Sequence, residues 1–172
     1  VARSGGWGYL LGDEGSAYQI ALSGLRSATW AADGRGPKTE LLQRFQDRLD
    51  AKQPSDLIGK VYHPDMDRVR IADLASIVFD AQKGGDSEAD RIVDLAAMDL
   101  SKIVVSIASK LTLASGSHPI GLAGGVLMHQ PVLRERLQLL LDDSIFVPSK
   151  TEVVINPAIG ALQLANWLWH DA

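Results

Sequence analysis

The first eighteen residues contain the side chains best suited to holding a ligand. Glycine occupies positions 5, 6, 8, 12 and 15, and Trp7, Asp13 and Glu14 lie among these glycines. Glycine serves where the backbone must adopt a positive φ or lie close to another group. A carboxylate beside an aromatic ring and exposed amides can bind a polyhydroxylated ligand, because it accepts hydrogen bonds from the hydroxyl groups. The alternative is an ordinary strand-to-helix turn in which the acidic residue only caps the helix.

A second glycine pair, Gly124-Gly125, follows a short apolar run far downstream. Glycine at such a turn lets the backbone approach a phosphate or a ribose, and the amides at the start of the next helix face the same group. The pair by itself is also typical of a packing turn between a strand and a helix.

The spacing of apolar residues predicts the elements that position these two groups. We expect a strand over residues 7–11, a turn over residues 12–15 and a helix from Ser16. Further helices are predicted from Thr39, over residues 54–58, over residues 67–81, from Asp86 or Ser87 to Leu111, from Pro131 and over residues 157–169, and further strands over residues 119–123, 144–147 and 153–155. The helix that ends near Leu111 keeps one apolar face for about six turns, so we expect it at the centre of the core.

Composition and charge narrow the class of protein. The 172 residues are 46% hydrophobic and 22% charged, which predicts one soluble globular domain over residues 1–172. A net charge of -4 without a basic cluster argues against nucleic acid as a partner. The absence of cysteine excludes disulfides, thiolate metal sites and a cysteine nucleophile. No apolar run approaches the roughly 20 residues needed to cross a bilayer, so no membrane partner is expected.

Other chemistry-bearing residues do not form a recognisable site. The four histidines are scattered without metal-ligand spacing, and we therefore expect no metal site on them. The serines lack the context of a nucleophile elbow. Trp30, Trp167 and Trp169 lie on predicted helices, where they are expected to pack or, if exposed, to contact another lobe.

Three landmarks in order carry a family resemblance. The run Gly5 to Tyr18 resembles the signature of the N-acetylglucosamine kinase family and of related BadF/BcrA-type ATPases in the actin-like superfamily. Residues 121–126 resemble the adenosine motif of that superfamily, and residues 156–162 its closing proline to Gly-Ala helix. The resemblance implies an α/β fold: the ribonuclease-H-like C-terminal lobe of an actin-like ATPase, with a mixed sheet, helices on both faces and its first strands missing.

The resemblance also implies which residues meet the substrates. Gly6, Trp7, Gly8 and Asp13 match the positions that contact the sugar in the family. On the nucleotide side, Gly124 and Gly125 become candidate contacts, His129 falls near the base, and Ala81 belongs to the segment that lines the adenine pocket. The alternatives are a helix C-terminus at Ala81 and an exposed helix-start residue at His129.

The family's phosphate loops and catalytic aspartate have no counterpart in this sequence, so no catalytic residue is expected in it. Together with a first residue that is valine, this indicates a fragment of a two-lobed, cytoplasmic, ATP- and Mg²⁺-dependent kinase for N-acetylglucosamine or a related amino sugar. Its expected partners are sugar, ATP and the missing N-terminal lobe, and a homodimer is left open. Two competing functions are a non-catalytic sugar- or nucleotide-sensing module and a BadF/BcrA-type activase. The lack of cysteine and the Trp7 signature argue against the activase.

Overall fold

The structure, a computed structural model, describes residues 1–170, with side chains at all of these except 167, 168 and 170. In this range the chain forms nine α-helices and two short β-strands. The helices are α1 (Ala17–Ala32), α2 (Leu41–Leu49), α3 (Asp56–Val61), α4 (Arg68–Asp73), α5 (Ala75–Lys83), α6 (Ser87–Lys110), α7 (Gly125–His129), α8 (Pro131–Asp142) and α9 (Pro157–His170). The strands are β1 (Ile120–Leu122) and β2 (Thr151–Val153).

The main core lies between the helices of the first two thirds of the chain. Helix α1 packs against α2, α4, α5 and α6, and α6 packs in turn against α5 and α8. The largest fully buried side chains are Ile20, Leu41, Phe45, Val78, Val93, Leu133, Leu137 and Leu141. Burial of one face per helix is what the 3- and 4-residue spacing of these positions dictates. The prediction that the longest helix is central is confirmed, since α6 spans 24 residues and contributes to the core along most of its length.

The sheet is small and parallel. Residue Ile120 pairs with Thr151 and Leu122 with Val153, and the N–H of Val154 donates to the carbonyl of Leu122 at 2.7 Å. A second apolar cluster of Leu122, Leu137 and Leu141 fills the space between β1 and α8. The α/β class is confirmed, with far more helix than strand.

Two predicted strands are wrong in detail. Residues 7–11 form a turn closed by the N–H groups of Leu11 and Gly12, which both donate to the carbonyl of Gly8. Gly8 has a φ of 88°, which an extended strand cannot contain. Only an isolated antiparallel bridge between Gly8 and Gly12 remains of the expected strand.

The expected strand over residues 144–147 is also absent from the described elements, and the last strand begins earlier than predicted. Residues 144–149 have no regular strand structure, but they are still hydrogen-bonded to the segment before β1. The N–H of Gly116 donates to the carbonyl of Val147, and the N–H of Ser149 donates to the carbonyl of His118. The described sheet is therefore two-stranded and parallel, where a mixed sheet was expected.

Helix boundaries otherwise follow the predictions closely. The helix expected over residues 67–81 is divided at Leu74 into α4 and α5, and the short helix α7 precedes the predicted helix at Pro131. The Thr39 hydroxyl accepts from the N–H of Leu41, although Glu40 is the residue directly before α2. Predictions about the side chains of residues Trp167, Leu168 and His170 lie outside the described part of the chain.

Candidate functional site

The opening glycine segment, residues 5–15, is an exposed loop that leads into α1. Gly5, Gly6, Gly8 and Gly15 all have positive φ values between 69° and 88°. Side chains other than glycine adopt this region at a cost of about 1–2 kcal/mol. The glycine content of the segment is thus required by its backbone path rather than by packing alone.

Asp13 lies in the last turn of this segment, and none of the described residues donates a hydrogen bond to its carboxylate. The cap of α1 is Ser16, whose hydroxyl accepts from the N–H of Gln19 at 3.2 Å. The Asp13 side chain is half-buried and receives no hydrogen bond from any residue that the structure describes. Capping, the alternative role for Asp13, is therefore not what the structure shows, and its two oxygens are available to a ligand hydroxyl.

Aromatic rings and cations surround the same segment. The Trp7 side chain is 70% exposed, and the Arg3 guanidinium carbon lies 5.5 Å from its ring centroid. Tyr9 meets Tyr18 edge to face, with ring centroids 5.4 Å apart, and the Arg68 guanidinium carbon lies 5.7 Å from the Tyr9 ring centroid. Edge-to-face pairs and cation–π contacts each add roughly 0.5–1 kcal/mol at exposed sites. These contacts hold Tyr9 against α1 and leave the Trp7 ring open to solvent.

Backbone contacts fix the segment further. Gln19 Nε2 donates to the carbonyl of Tyr9 at 3.1 Å, and Arg3 donates to the carbonyls of Gly5 and Gly6. Sequence reasoning did not identify Gln19 or Arg3. Position 19 lies one helical turn from the loop, a spacing at which a long polar side chain can reach back to it.

The second glycine turn is open. Gly124 has a φ of 105° and precedes α7, and nothing lies within 4 Å of a Cβ built on Gly124 or Gly125. His129 ends α7 and is exposed. The packing-turn alternative does not fit this pair, because no neighbour approaches either glycine closely. The turn can admit a ligand to its backbone.

Ala81 is placed differently from the other predicted contacts. Its side chain is fully buried in the main core, and its carbonyl accepts from the N–H of Asp86 at 3.0 Å. This is the helix C-terminus that was the alternative reading of the segment. Ala81 offers no exposed surface to an adenine base in this structure.

Asp86 fastens the loop before α2 to the start of α6. Its carboxylate accepts from the Thr39 hydroxyl, the Glu40 N–H and the N–H groups of Glu88 and Ala89. Burial opposes the charge, but the four hydrogen bonds outweigh it and lower the pKa of Asp86 below its ordinary value. Next to it, the ion pair with Arg91 is the main reason that the pKa of Glu88 is also lowered.

The opening glycine segment packs on the middle of α6. A Cβ on Gly15 would meet Leu100 Cγ at 2.4 Å, and one on Gly5 would meet Ile103 Cδ1 at 3.2 Å. Leu100 also packs against the apolar cluster that contains Leu122. Leu100 thus contacts both the opening glycine segment and the apolar cluster formed by β1 and α8. We predict that Gly8 and Gly124 face a single cleft, because two substrates that exchange a group must meet within bonding distance.

A cleft of about 260 Å³ lies between α1 and α6. Glu14 and Gly15 lie at its edge, but none of the predicted sugar or nucleotide contacts lines it. Within the described residues no group of three or more His, Cys, Asp or Glu side chains could hold a metal ion, and no helix is long and apolar enough to cross a membrane.

Comparison with known proteins identifies the class. Residues 1–165 match the BadF/BadG/BcrA/BcrD ATPase family. The chain belongs to this family, and the predicted resemblance is confirmed.

Two curated relatives are sugar kinases by name. The chain is 34% identical over 141 residues to the N-acetylmuramic acid/N-acetylglucosamine kinase of Clostridium acetobutylicum, covering 82% of this chain and 46% of that protein. It is 33% identical over 165 residues to the N-acetyl-D-glucosamine kinase of Dictyostelium discoideum, covering 95% of this chain and 52% of that protein. The chain therefore spans about half the length of the curated relatives it matches.

A solved structure supports the fold alone. A protein from Chromobacterium violaceum, proposed to be an N-acetylglucosamine kinase, superposes with a TM-score of 0.65 at 24% identity. The match covers 84% of this chain and 47% of that one.

Proposed function

We propose that this chain supplies the acceptor-sugar and nucleoside segments of an ATP-dependent kinase for N-acetylglucosamine or a related amino sugar. The observation that carries the proposal is the Asp13 carboxylate, which is half-buried, receives no hydrogen bond from the described residues and belongs to the same opening segment as the exposed Trp7 ring. A planar ring suits the apolar face of a pyranose, and a carboxylate discriminates strongly for hydroxyl groups. Gly6 and Gly8 supply backbone amides from the same segment.

The nucleoside half of the proposal rests on the open turn at Gly124 and Gly125. Backbone with no side chain nearby can approach ribose or phosphate oxygens, and His129 lies at the far end of the five-residue α7. We leave the fully buried Ala81 side chain out of this contact set.

The remaining parts of the reaction belong, in this proposal, to the half of the family fold that the chain does not span. Phosphoryl transfer depends mainly on positioning and on neutralising phosphate charge with Mg²⁺. We assign the Mg²⁺ ligands, the phosphate loops and the residue that accepts the sugar hydroxyl proton to that other half. A single-domain lobe over residues 1–172 is the corresponding proposal for this chain.

Nuclear magnetic resonance on the ¹⁵N-labelled chain tests the assignment directly. Millimolar N-acetylglucosamine should shift the Trp7 indole N–H and the amides of Gly6, Gly8 and Asp13, whereas ATP should shift Gly124 and Gly125. Asp13→Asn should abolish the first response and leave the second unchanged.

The matched control is Asp80→Asn, because Asp80 is an exposed carboxylate on α5 whose side chain has no hydrogen-bond partner in the described chain. Sugar-induced shifts confined to residues outside the opening segment would contradict the assignment. So would an Asp13→Asn variant that responds to sugar like Asp80→Asn.

A further inference from the structure

We propose that Arg134 of α8 is a positioning residue for the nucleoside turn, because its guanidinium holds α7 and thereby sets the orientation of the Gly124 backbone. Arg134 Nη1 donates to the carbonyl of Leu127 at 2.6 Å and to the carbonyl of Met128 at 3.1 Å. Both carbonyls belong to α7, the five-residue helix that begins directly after Gly124. The inference rests on the proposed function, since it concerns how the same turn is kept in place.

The two carbonyls need this side chain because the backbone offers them no donor. In a continuous helix the N–H four residues later would bond to each carbonyl, and for Leu127 that residue is Pro131, which has no N–H. Throughout the described part of the chain, no backbone N–H donates to either carbonyl. Carbonyls at a helix C-terminus without intrahelical partners are satisfied by side chains or by water. Arg134 thus supplies the donors that the break between α7 and α8 removes.

Few other contacts hold α7 in place. None of its residues is buried, although Val126 and Leu127 pack partly against the main core. An isolated helix this short is unstable in water, so α7 depends on contacts outside itself. The N–H of Met128 donates to the carbonyl of Gly124 at 2.9 Å, which makes the first turn of α7 continuous with the glycine turn. A shift of α7 would therefore reorient the backbone that is proposed to face the nucleoside.

Arg134 is well suited to this role because it has a rigid base and no competing ion pair. Leu133, directly before it, is fully buried in the main core. No carboxylate of the described residues pairs with the half-buried Arg134 side chain, whereas Arg136 on the same helix pairs with Asp90 and Asp94 of α6. A guanidinium has five N–H donors in a fixed plane, so it can bond to two neighbouring carbonyls at once.

Hydrogen exchange and ATP titration of the ¹⁵N-labelled 172-residue chain test the inference. Arg134→Met removes the charge and the donors but keeps an unbranched side chain. Arg48→Met is the matched control, because Arg48 is exposed and has no ion-pair partner among the described residues. It lies on α2, which packs mainly against α1, α3 and α5, so the control removes the same charge away from the turn.

In Arg134→Met the amide of Met128 should exchange about tenfold or more faster, because α7 opens more often once its last carbonyls lose their donor. The initial slope of the ATP-induced shifts at Gly124 and Gly125 should fall about tenfold or more, since only molecules with the turn in place bind. The response of Gly8 to N-acetylglucosamine should not change. A general loss of structure would affect both ligands, so a loss confined to ATP identifies a positioning role.

Two further variants complete the series. Arg134→Lys keeps a long cationic donor and should recover part of the slow exchange and of the ATP response. If Arg134→Met does not fold, Arg134→Gln takes its place, because its amide is polar but ends short of both carbonyls. Exchange rates and ATP responses equal to those of Arg48→Met would overturn the inference. Equal losses of the ATP and sugar responses would overturn it as well.

Failure of the proposed function gives a different result. If neither Gly124 nor Gly125 of the unmodified chain responds to ATP, the proposed function is contradicted, and exchange at Met128 then decides alone whether Arg134 holds α7. If both glycines respond to ATP equally well with and without Arg134, only the inference is overturned.

Discussion

Asp86 shows how one side chain joins distant parts of the chain. It accepts from Thr39, 47 residues earlier, and also caps α6. The sequence predicts that α6 starts at Asp86 or Ser87 but not the link to Thr39, because a carboxylate at a helix start predicts only its local bonds. The additional partners explain why this aspartate is buried when most are exposed.

Replacing Asp86 by Asn should therefore cost about 1–2 kcal/mol of unfolding free energy at pH 7, since charge-assisted bonds are replaced by weaker ones. The folded-state pKa of Asp86 is lowered, so its contribution is present above the unfolded pKa of about 4 and is lost as pH falls through the folded pKa. Urea unfolding at a series of pH values should show wild type and variant converging in acid. Asp67→Asn is the control, because Asp67 caps the exposed start of α4 with a single bond to the N–H of Arg70. A variant difference that is constant down to pH 2 would contradict the role of the Asp86 charge.

Asp13 carries the prediction for the site itself. In a chimera in which this chain replaces the matching part of the Clostridium acetobutylicum kinase, Asp13→Ala should lower kcat/KM for N-acetylglucosamine by about 100-fold, while the KM for ATP changes little, because polar contacts to hydroxyl groups carry more discrimination than apolar ones. Steady-state kinetics with each substrate varied in turn provide the measurement. Asp80→Ala should leave both constants near those of the unmodified chimera. Equal effects on the sugar and ATP constants would show that Asp13 does not act on the acceptor.

At the scale of the elements, two helical glycines differ in the space that their surroundings leave for a Cβ atom. A Cβ on Gly24 in α1 would lie 2.6 Å from Val78 Cγ2 and 3.0 Å from Phe45 Cζ, whereas nothing lies within 4 Å of a Cβ on Gly59 in α3. Gly24 thus allows α1 to pack closely against Phe45 of α2 and Val78 of α5. Gly59 carries only the entropic cost of glycine in a helix.

Gly24→Ala should destabilise the chain by about 1–3 kcal/mol through overpacking, and Gly59→Ala should stabilise it by about 0.5–1 kcal/mol. Chemical denaturation of both variants beside the unmodified chain measures the two changes. The pair controls for helix propensity, since the substitution is the same and only the neighbours differ. Stabilisation by both substitutions would mean that α1 can move away from Val78 at little cost.

The helices and strand β1 were largely predictable from sequence, whereas the strands expected over residues 7–11 and 144–147 did not form. The apolar spacing of α1, α6 and α8 states which face is buried, and Ser16 and Pro131 mark where helices begin. A run such as Trp7 to Leu11 reads as a strand because of its composition, but strand formation needs neighbours, and the backbone here turns at Gly8. The same holds near Ile145, which is exposed where a sheet face was expected.

The candidate site was predictable only through its family pattern. Residue types alone left Asp13 between ligand contact and helix cap, and only the structure shows that Ser16 takes the cap. Ala81 was predicted as a ligand contact, but its side chain is fully buried in the core, which a local sequence pattern cannot show. Gln19 and Arg68 contact Tyr9 through tertiary geometry that no short motif encodes.

At the scale of the whole molecule, the isolated 172-residue chain should not phosphorylate sugar and should bind ATP weakly. The phosphate loops are absent from its sequence, and closure of two lobes around the reactants is what excludes water and aligns them. Calorimetric titration with ATP and an assay of sugar phosphate beside the chimera test both points. Turnover by the isolated chain at the rate of the chimera would place the catalytic groups within residues 1–172.

Leu100 and Ile103 make the middle of α6 a support for the opening loop, and Leu100 also packs against the apolar cluster that contains Leu122. Because the loop that holds Asp13 and the apolar cluster that contains Leu122 both pack against Leu100, a tilt of α6 would move the two together and change the distance between them little. The distance between the proposed acceptor and donor contacts should therefore change little when α6 tilts. Mutations elsewhere along α6 should accordingly alter the stability of the fold but leave the distance between the two bound reactants unchanged.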